Sequence, residues 1–329
     1  MRRTIILKFL FIPIGVLAAG FLGFVYSKYA LYAMHLQNPF AASPELPTDL
    51  FGNFYLLIKD ALAGNLGPMP RGFDYSVADA LKKAIGASLG LLGVVVLGST
   101  LVGLTLGLSA VNHRDGTIRR WLAPITAVGM ALPSYIMGIL FVLAIIFITI
   151  RQKQGGTFFL PVGGFGWDEH IVLPALALMI RPTAQLAHLS AHVLSDELRK
   201  QYITAARAFG HSWLRIRWKD AMRNILSPVI MTVAGSARFL LGEMILVEYI
   251  FDWPGLGYLF GWTLMPPRIA MLQGFYVDVS SFFLHTPLLT MLITLLTFIF
   301  LVLDFSAIVA VECVDPRVRH ENGGGENEI

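Results

Sequence analysis

Long apolar runs separated by short polar stretches dominate this chain. A helix needs about 20 mainly apolar residues to cross roughly 30 Å of hydrocarbon. Six segments reach that length: Ile5–Tyr26, Ile85–Val111, Leu122–Ile150, Ile171–Val193, Pro228–Phe251 and Thr286–Val311. Backbone groups in hydrocarbon must satisfy one another, so the pattern predicts helices rather than open strands. The short alternating segments of an outer-membrane barrel are absent from the sequence. The expected fold class is an all-α integral membrane protein with about six transmembrane helices.

The N-terminus, Met1-Arg2-Arg3 followed by apolar residues, has the outline of a secretory signal. Its apolar stretch continues to about Tyr26, past the roughly 7–15 residues of a signal core, and is read as a first span. Residues 38–75 hold Pro39, Pro44, Pro47, Pro68 and Pro70 and are expected to be loop and short helix. The Gly-rich turn stretch 155–167 cannot span, and the polar tail 320–329 is expected to be disordered. The chain thus divides into a first helix with its loop (1–76) and a membrane core (77–319). A polar, basic loop lies within that core at 194–226.

Composition agrees with the pattern. The chain is 56% hydrophobic and 14% charged, where soluble domains run near 45–50% and 25%. A net charge of +4 gives no reason to expect a nucleic-acid partner; the position of each basic residue matters more. Arg2, Arg3, Lys8, Arg114, Arg119 and Arg120 fall on one side, with the seven basic residues from Arg199 to Arg223 and then Arg317 and Arg319. The longer segments opposite hold only Lys28, Lys59, Arg71, Lys82, Lys83, Arg151, Lys153 and Arg268. That asymmetry predicts both termini in the cytoplasm. The single cysteine, Cys313, excludes an intrachain disulfide framework.

The loop at 194–226 carries the most specific pattern. Helix formers and a small-residue face (Ala205, Ala206, Ala208) run up to Gly210, where positive φ is cheap and a helix can end. Ser212 is placed to cap a second, basic amphipathic helix, and Ser227-Pro228 to start the next span. Small side chains at a membrane face suit docking into a groove on another protein. They suit equally a basic helix lying on anionic lipid.

Tyr202-Ile-Thr-Ala-Ala-Arg-Ala-Phe-Gly210 resembles the "EAA" coupling loop of ABC importer permeases, most closely the dipeptide/oligopeptide/nickel branch. The resemblance continues in Ala221-Met-Arg-Asn-Ile-Leu-Ser-Pro228 and in Val247-Glu-Tyr-Ile-Phe-Asp-Trp-Pro-Gly-Leu-Gly257. Leu132-Pro133-Ser134, Leu160-Pro161-Val162-Gly163-Gly164, Gln273-Gly274 and Asp315-Pro316-Arg317-Val318-Arg319 also match, in order, from about residue 77 onward. Thr204 replaces the usual Glu and Phe209 the common Lys, while His188 and Ala191 stand where Arg is frequent. Residues 275–311 are longer than usual, and the first loop lacks a G-D-P element. These departures leave the architecture intact and the solute open.

The resemblance implies a type I importer permease in the inner (plasma) membrane of a prokaryote. Its partners would be a second permease subunit, two cytoplasmic ATPases and an extracytoplasmic solute-binding protein. Coupling to the ATPase would fall on Tyr202, Ala205, Ala206, Arg207, Ala208, Gly210, Arg223 and Asn224. An extracytoplasmic motif would comprise Glu248, Trp253, Pro254, Gly255 and Gly257. The chain has no G-x-x-x-x-G-K-[S/T] loop, so ATP and Mg are expected on the partner ATPase, with no cofactor, metal or catalytic residue here.

Ionisable residues inside a membrane are costly and tend to face a partner or a water-filled path. Arg181, Arg238 and Glu243 qualify, and the last two fall where the branch usually has glycine. They either line a translocation path or form an Arg–Glu pair between helices, with Glu248 as a further partner. His188 and His192, at i,i+4, have no acidic or thiol partner in their segment and are not expected to hold a metal. Glu248 and Asp252 are read as structural or as part of a binding-protein contact, and Trp167, Trp253 and Trp262 as interface anchors. The alternative function is a gradient-driven secondary transporter, which should show paired broken helices and mid-membrane acids; only Glu243 presents itself. A membrane hydrolase would need a nucleophile–base or metal constellation, and none is found.

Overall fold

The structure is a computed structural model that describes residues 2–37, 48–69, 75–112, 115–151, 160–264 and 284–314. Readings that rest on 38–47, on 152–159, on Gln273-Gly274, on the Asp315-to-Arg319 motif and on the tail fall outside these residues.

The described residues are helical with short connections. In order they form α1 (Arg2–Gln37), α2 (Leu50–Leu62), α3 (Val77–Ala110), α4 (Leu122–Ala131), α5 (Ser134–Arg151) and α6 (Val172–Leu198). There follow α7 (Gln201–Ala208), α8 (Trp213–Arg215), α9 (Met222–Ile250), α10 (Leu256–Leu264) and α11 (Thr286–Val314). Among the described residues six helical stretches are long and apolar enough to cross a membrane, as expected: 7–33, 77–110, 134–151, 169–198, 216–250 and 286–310.

Three boundaries differ from the sequence reading. α3 starts at Val77 rather than Ile85, because Ser76 caps it: its hydroxyl accepts from the Asp79 N–H at 3.1 Å and donates to the Asp79 carboxylate at 2.7 Å. Lys82 and Lys83 then sit on the exposed side of an existing helix. The third expected span, 122–150, is broken. Leu132 is extended (φ −94°, ψ 125°), the conformation that the ring of Pro133 favours for the residue before it. Only the second half, α5, has membrane length.

The third difference concerns the start of span five. Ser212 does cap the basic helix, accepting from the Arg215 N–H at 3.4 Å. But that helix never ends. α8 passes through a π-helical turn, Ile216–Ala221, directly into α9, and Pro228 lies inside α9 rather than at its first turn. Ile216, Ala221 and Ile225 are all buried, so packing carries the helix through a proline that costs it one backbone bond.

The densest packing runs along α3 against α6, α1 against α11, and α6 against α9. The α3–α6 approach is close because of glycine: a Cβ at Gly103 would lie 2.7 Å from Leu186 Cβ and 2.9 Å from the Thr183 carbonyl. Three apolar clusters stack along the bundle. One holds Leu198, Ile203, Ile216 and Ile225 beside the basic loop at 194–226, and a middle one holds Leu91, Leu178, Leu240 and Trp253. The third, at the far end, joins Val77, Leu256 and Leu288 with the inner face of α2.

Candidate functional site

The loop at 194–226 is held by a buried carboxylate. Glu197, in the last turn of α6, is 3% exposed and accepts from the Tyr202 hydroxyl at 2.6 Å and from Asn224 Nδ2 at 2.8 Å. Lys200 Nζ lies 2.6 Å from its other oxygen, and Asn224 Nδ2 also donates to the Tyr202 hydroxyl at 3.1 Å. α6, α7 and α9 therefore meet at one side chain. Burial, then the bond to Glu197, pushes the Tyr202 phenol up to about 12.

Gly210 ends the α7 segment at φ +76°, the left-handed conformation that its missing Cβ permits. His211 Nδ1 approaches Asp220 Oδ2 at 3.4 Å across the resulting hairpin. Tyr202, Ala205, Arg207, Ala208, Phe209, Gly210, Arg223 and Asn224 are exposed, Phe209 at 83%. Ala206 is the exception among the expected small-residue face: it is half-buried and packs inward on the apolar cluster of the loop. Glu197 was missed in the sequence. An acid in a helix's last turn opposes the helix dipole, and that mismatch was the available signal.

Mid-bundle, the helix break and the charges converge. Glu243 on α9, 9% exposed, accepts from Arg181 Nη1 at 3.1 Å and from the hydroxyl of Ser134, the first residue after the Leu132-Pro133 break. The N-terminus of α5 adds its positive dipole end to the same carboxylate. The Arg181 guanidinium also lies 4.0 Å from the centre of the Phe239 ring. Arg238 does not pair with Glu243 or Glu248. Its partner is Asp304 on α11, and Lys8 of α1 stands 4.0 Å from the second Asp304 oxygen. Asp304 was also missed, although an aspartate inside the sixth apolar run is itself a signal. A cavity of about 700 Å³ opens between α9 and α11, lined by Arg238, Glu243, Phe239, Gly242, Leu296 and Phe300.

Glu248 and Trp253 prove internal. Glu248 is fully buried, accepting from Ser88 at 2.6 Å and from the N–H groups of Gly257 (2.7 Å) and Tyr258 (3.3 Å). It caps the N-terminus of α10 from another helix, the structural role of the two expected for it. Ser88 closes the motif by accepting from the Leu256 N–H at 2.7 Å. Cβ atoms at Gly255 and Gly257 would collide with the Glu248 carboxylate and with the Ile245 backbone. Trp253, expected as an interface anchor, is 0% exposed and donates Nε1–H to the Ala87 carbonyl at 3.1 Å. Trp167 and Trp262 are exposed, as are Pro254 and Asp252. His188 and His192 stack at 4.1 Å, and His192 Nδ1 bonds the His188 carbonyl at 2.8 Å. Among the described residues no three His, Cys, Asp or Glu side chains gather as a metal site.

A many-spanning helical bundle with paired charges at mid-bundle beside a cavity, and an exposed helical hairpin at one end, defines a membrane transport component. Residues 99–320 match the binding-protein-dependent transport system inner membrane components, and the chain belongs to that family. It is similar to the dipeptide transport system permease protein of Bacillus subtilis (strain 168), 26% identical over 291 residues, 88% of this chain and 86% of that one. Its identity to the similar glutathione transport system permease protein of Escherichia coli O6:H1 is 30% over 215 residues, 65% and 67% of the two chains. For a putative peptide permease of Brucella suis biovar 1 it is 25% over 205 residues, 61% and 64%. The chain is thus a permease subunit of an ABC importer, a multi-pass protein of a prokaryotic inner membrane that works with other subunits.

Proposed function

We propose that this chain forms half of the translocation path for a peptide-like solute, handed over by an extracytoplasmic binding protein and moved at the expense of ATP hydrolysed on separate subunits. The solute class rests on the dipeptide, glutathione and peptide permeases that the chain resembles. A second permease subunit supplies the other half of the path, and two cytoplasmic ATPases dock at the coupling loop. Both termini and that loop face the cytoplasm, in keeping with the basic residues gathered there.

One observation carries the mechanical reading: helix continues without interruption from Trp213 to Ile250, about 57 Å at 1.5 Å per residue. The same rod touches the coupling hairpin through Asn224, the cavity through Arg238 and Glu243, and the α10 turn through Glu248. Displacement of α7 by a closing ATPase dimer is passed through the Glu197 junction to this rod and moves the cavity wall against α11. The path runs along Arg181, Arg238 and Glu243, where a charged or zwitterionic solute meets fixed charges in an otherwise apolar wall.

The test is to purify the full chain, tagged at Ile329, from its native membrane and identify its companions. Recovery of two P-loop ATPases and a second permease, with ATP-dependent uptake in reconstituted vesicles, is expected. Recovery of the chain alone, with uptake persisting on an ion gradient without ATP, would overturn the proposal.

A further inference from the structure

The short helix α2 has an apolar arc wider than the protein covers. At 100° per residue Phe54, Leu57, Ile58 and Ala61 fall on one side and are half-buried, and the last three pack on the far apolar cluster. Phe51, Tyr55 and Leu62 continue that arc within about 40° of one another, yet they are 76%, 67% and 86% exposed. Asn53, Lys59 and Asp60 occupy the opposite side, with Leu56 exposed among them at the wall of the cleft shared with Lys28. The helix is therefore three-sided, with a protein face, a water face and a bare apolar edge.

What covers that edge is indicated by α1. Phe51 stacks on Phe21 of α1, ring centres 4.6 Å apart and planes 14° from parallel. Phe21 lies within the apolar span 7–33, whose Leu17, Leu22 and Tyr26 are exposed on the outside of the bundle. The bare edge of α2 is continuous with this surface. Tyr26, Tyr29 and Tyr32 form the aromatic band expected where a span leaves the membrane. Phe21 sits five residues, or about 7.5 Å of helix, inward of Tyr26. That depth matches the roughly 5–10 Å to which interfacial amphipathic helices sink their apolar side.

We propose that α2 lies in the membrane surface opposite the coupling loop, with its Phe51–Tyr55–Leu62 edge among the acyl chains. Its polar side, with Asp60 and Asn53, faces water and lines a separate cleft with Lys28 of α1. The helix so placed fixes the height of α1, and through the far apolar cluster the outer ends of α3 and α11, against the bilayer.

The experiment uses the full chain, assembled with its partner subunits in phospholipid vesicles. Cys313→Ser removes the one cysteine, and Phe51→Cys, Tyr55→Cys, Leu62→Cys and Asp60→Cys are introduced singly and spin-labelled. Oxygen, which concentrates in lipid, should relax the first three labels severalfold more than a water-soluble nickel chelate does, and the order should reverse at 60. Equal chelate access at 51, 55, 62 and 60 overturns the proposal. So does protection of 51 and 55 that appears only when the solute-binding protein is added, since the edge would then belong to a protein contact. Leu62, the most exposed of the three, gives the answer even where a label at 51 disturbs the stack on Phe21.

Discussion

Ser88 on α3 and Glu248 on α9 share a 2.6 Å hydrogen bond in a place where neither residue reaches solvent. The same hydroxyl accepts from Leu256, and the same carboxylate from Gly257 and Tyr258, so the pair caps α10 and ties it to two long helices. Ser88→Ala strands both a carboxylate oxygen and an N–H, at about 1–3 kcal/mol for each buried group left unpaired. The thermal midpoint of the purified complex should fall, and Gly257→Ala should lower it as well. Pro254→Ala, exposed on the same turn, should not. An unchanged midpoint for Ser88→Ala would remove Glu248 from its role as a cap.

Tyr202 and Asn224 reach Glu197 from two different helices. Losing the phenol removes one bond to a charged acceptor, worth about 1.5 kcal/mol at the low end. Tyr202→Phe should leave assembly intact but loosen α7 against α9. Under the proposed mechanism, solute-stimulated ATP hydrolysis in vesicles should then be less tightly matched to uptake. Phe209→Ala, which changes the exposed surface and not the junction, should weaken association with the ATPase instead. If both variants show the same defect, the junction and the docking face are not separate parts.

The Tyr202 phenol also offers a pH readout. Burial and Glu197 hold its proton to about 12, above the ordinary value near 10. The folded chain therefore binds this proton more tightly than the unfolded chain. The resulting stabilisation is full below pH 10 and is lost as pH rises through 12. In a tyrosinate absorbance titration, the difference between the native chain and Tyr202→Phe should report one group titrating near 12. A difference curve centred near 10 would show that the hydroxyl is free of Glu197.

Much of the architecture was legible because the length of an apolar run is a strong constraint in hydrocarbon. Six spans, the Gly210 stop and the Ser212 cap follow from local chemistry. The failures have a common cause. Pro133 and Pro228 look alike locally, yet the first breaks its helix and the second does not, because buried Ile225 and Ala221 hold the chain helical around Pro228. Trp253 looked like an interface residue until α3 and the rings of Phe165 and Trp167 closed over it. The Glu243 partners, Arg181 and Ser134, sit 62 and 109 residues away in sequence, a distance that no periodicity reports.

The last prediction concerns those partners. Arg181–Glu243 is the deeper pair, with Glu243 buried, while Arg238–Asp304 is about one-third exposed; removing one member of a buried pair costs about 3–5 kcal/mol because a bare charge remains, so the first pair should lose more. Glu243→Gln and Arg181→Met should each destabilise the complex, whereas the double variant should recover much of the loss, since no charge is then uncompensated. Stability alone cannot separate a strut from a solute contact, so the double variant is the informative one. If the cavity between α9 and α11 carries the solute, the folded double variant should transport zwitterionic peptides more slowly than N- and C-blocked peptides of the same length. Asp304→Asn should act in the same direction by freeing Arg238 to hold a solute carboxylate too long. Equal rates for blocked and unblocked peptides, in a double variant as stable as the native chain, would reduce the charges to struts and move the path elsewhere.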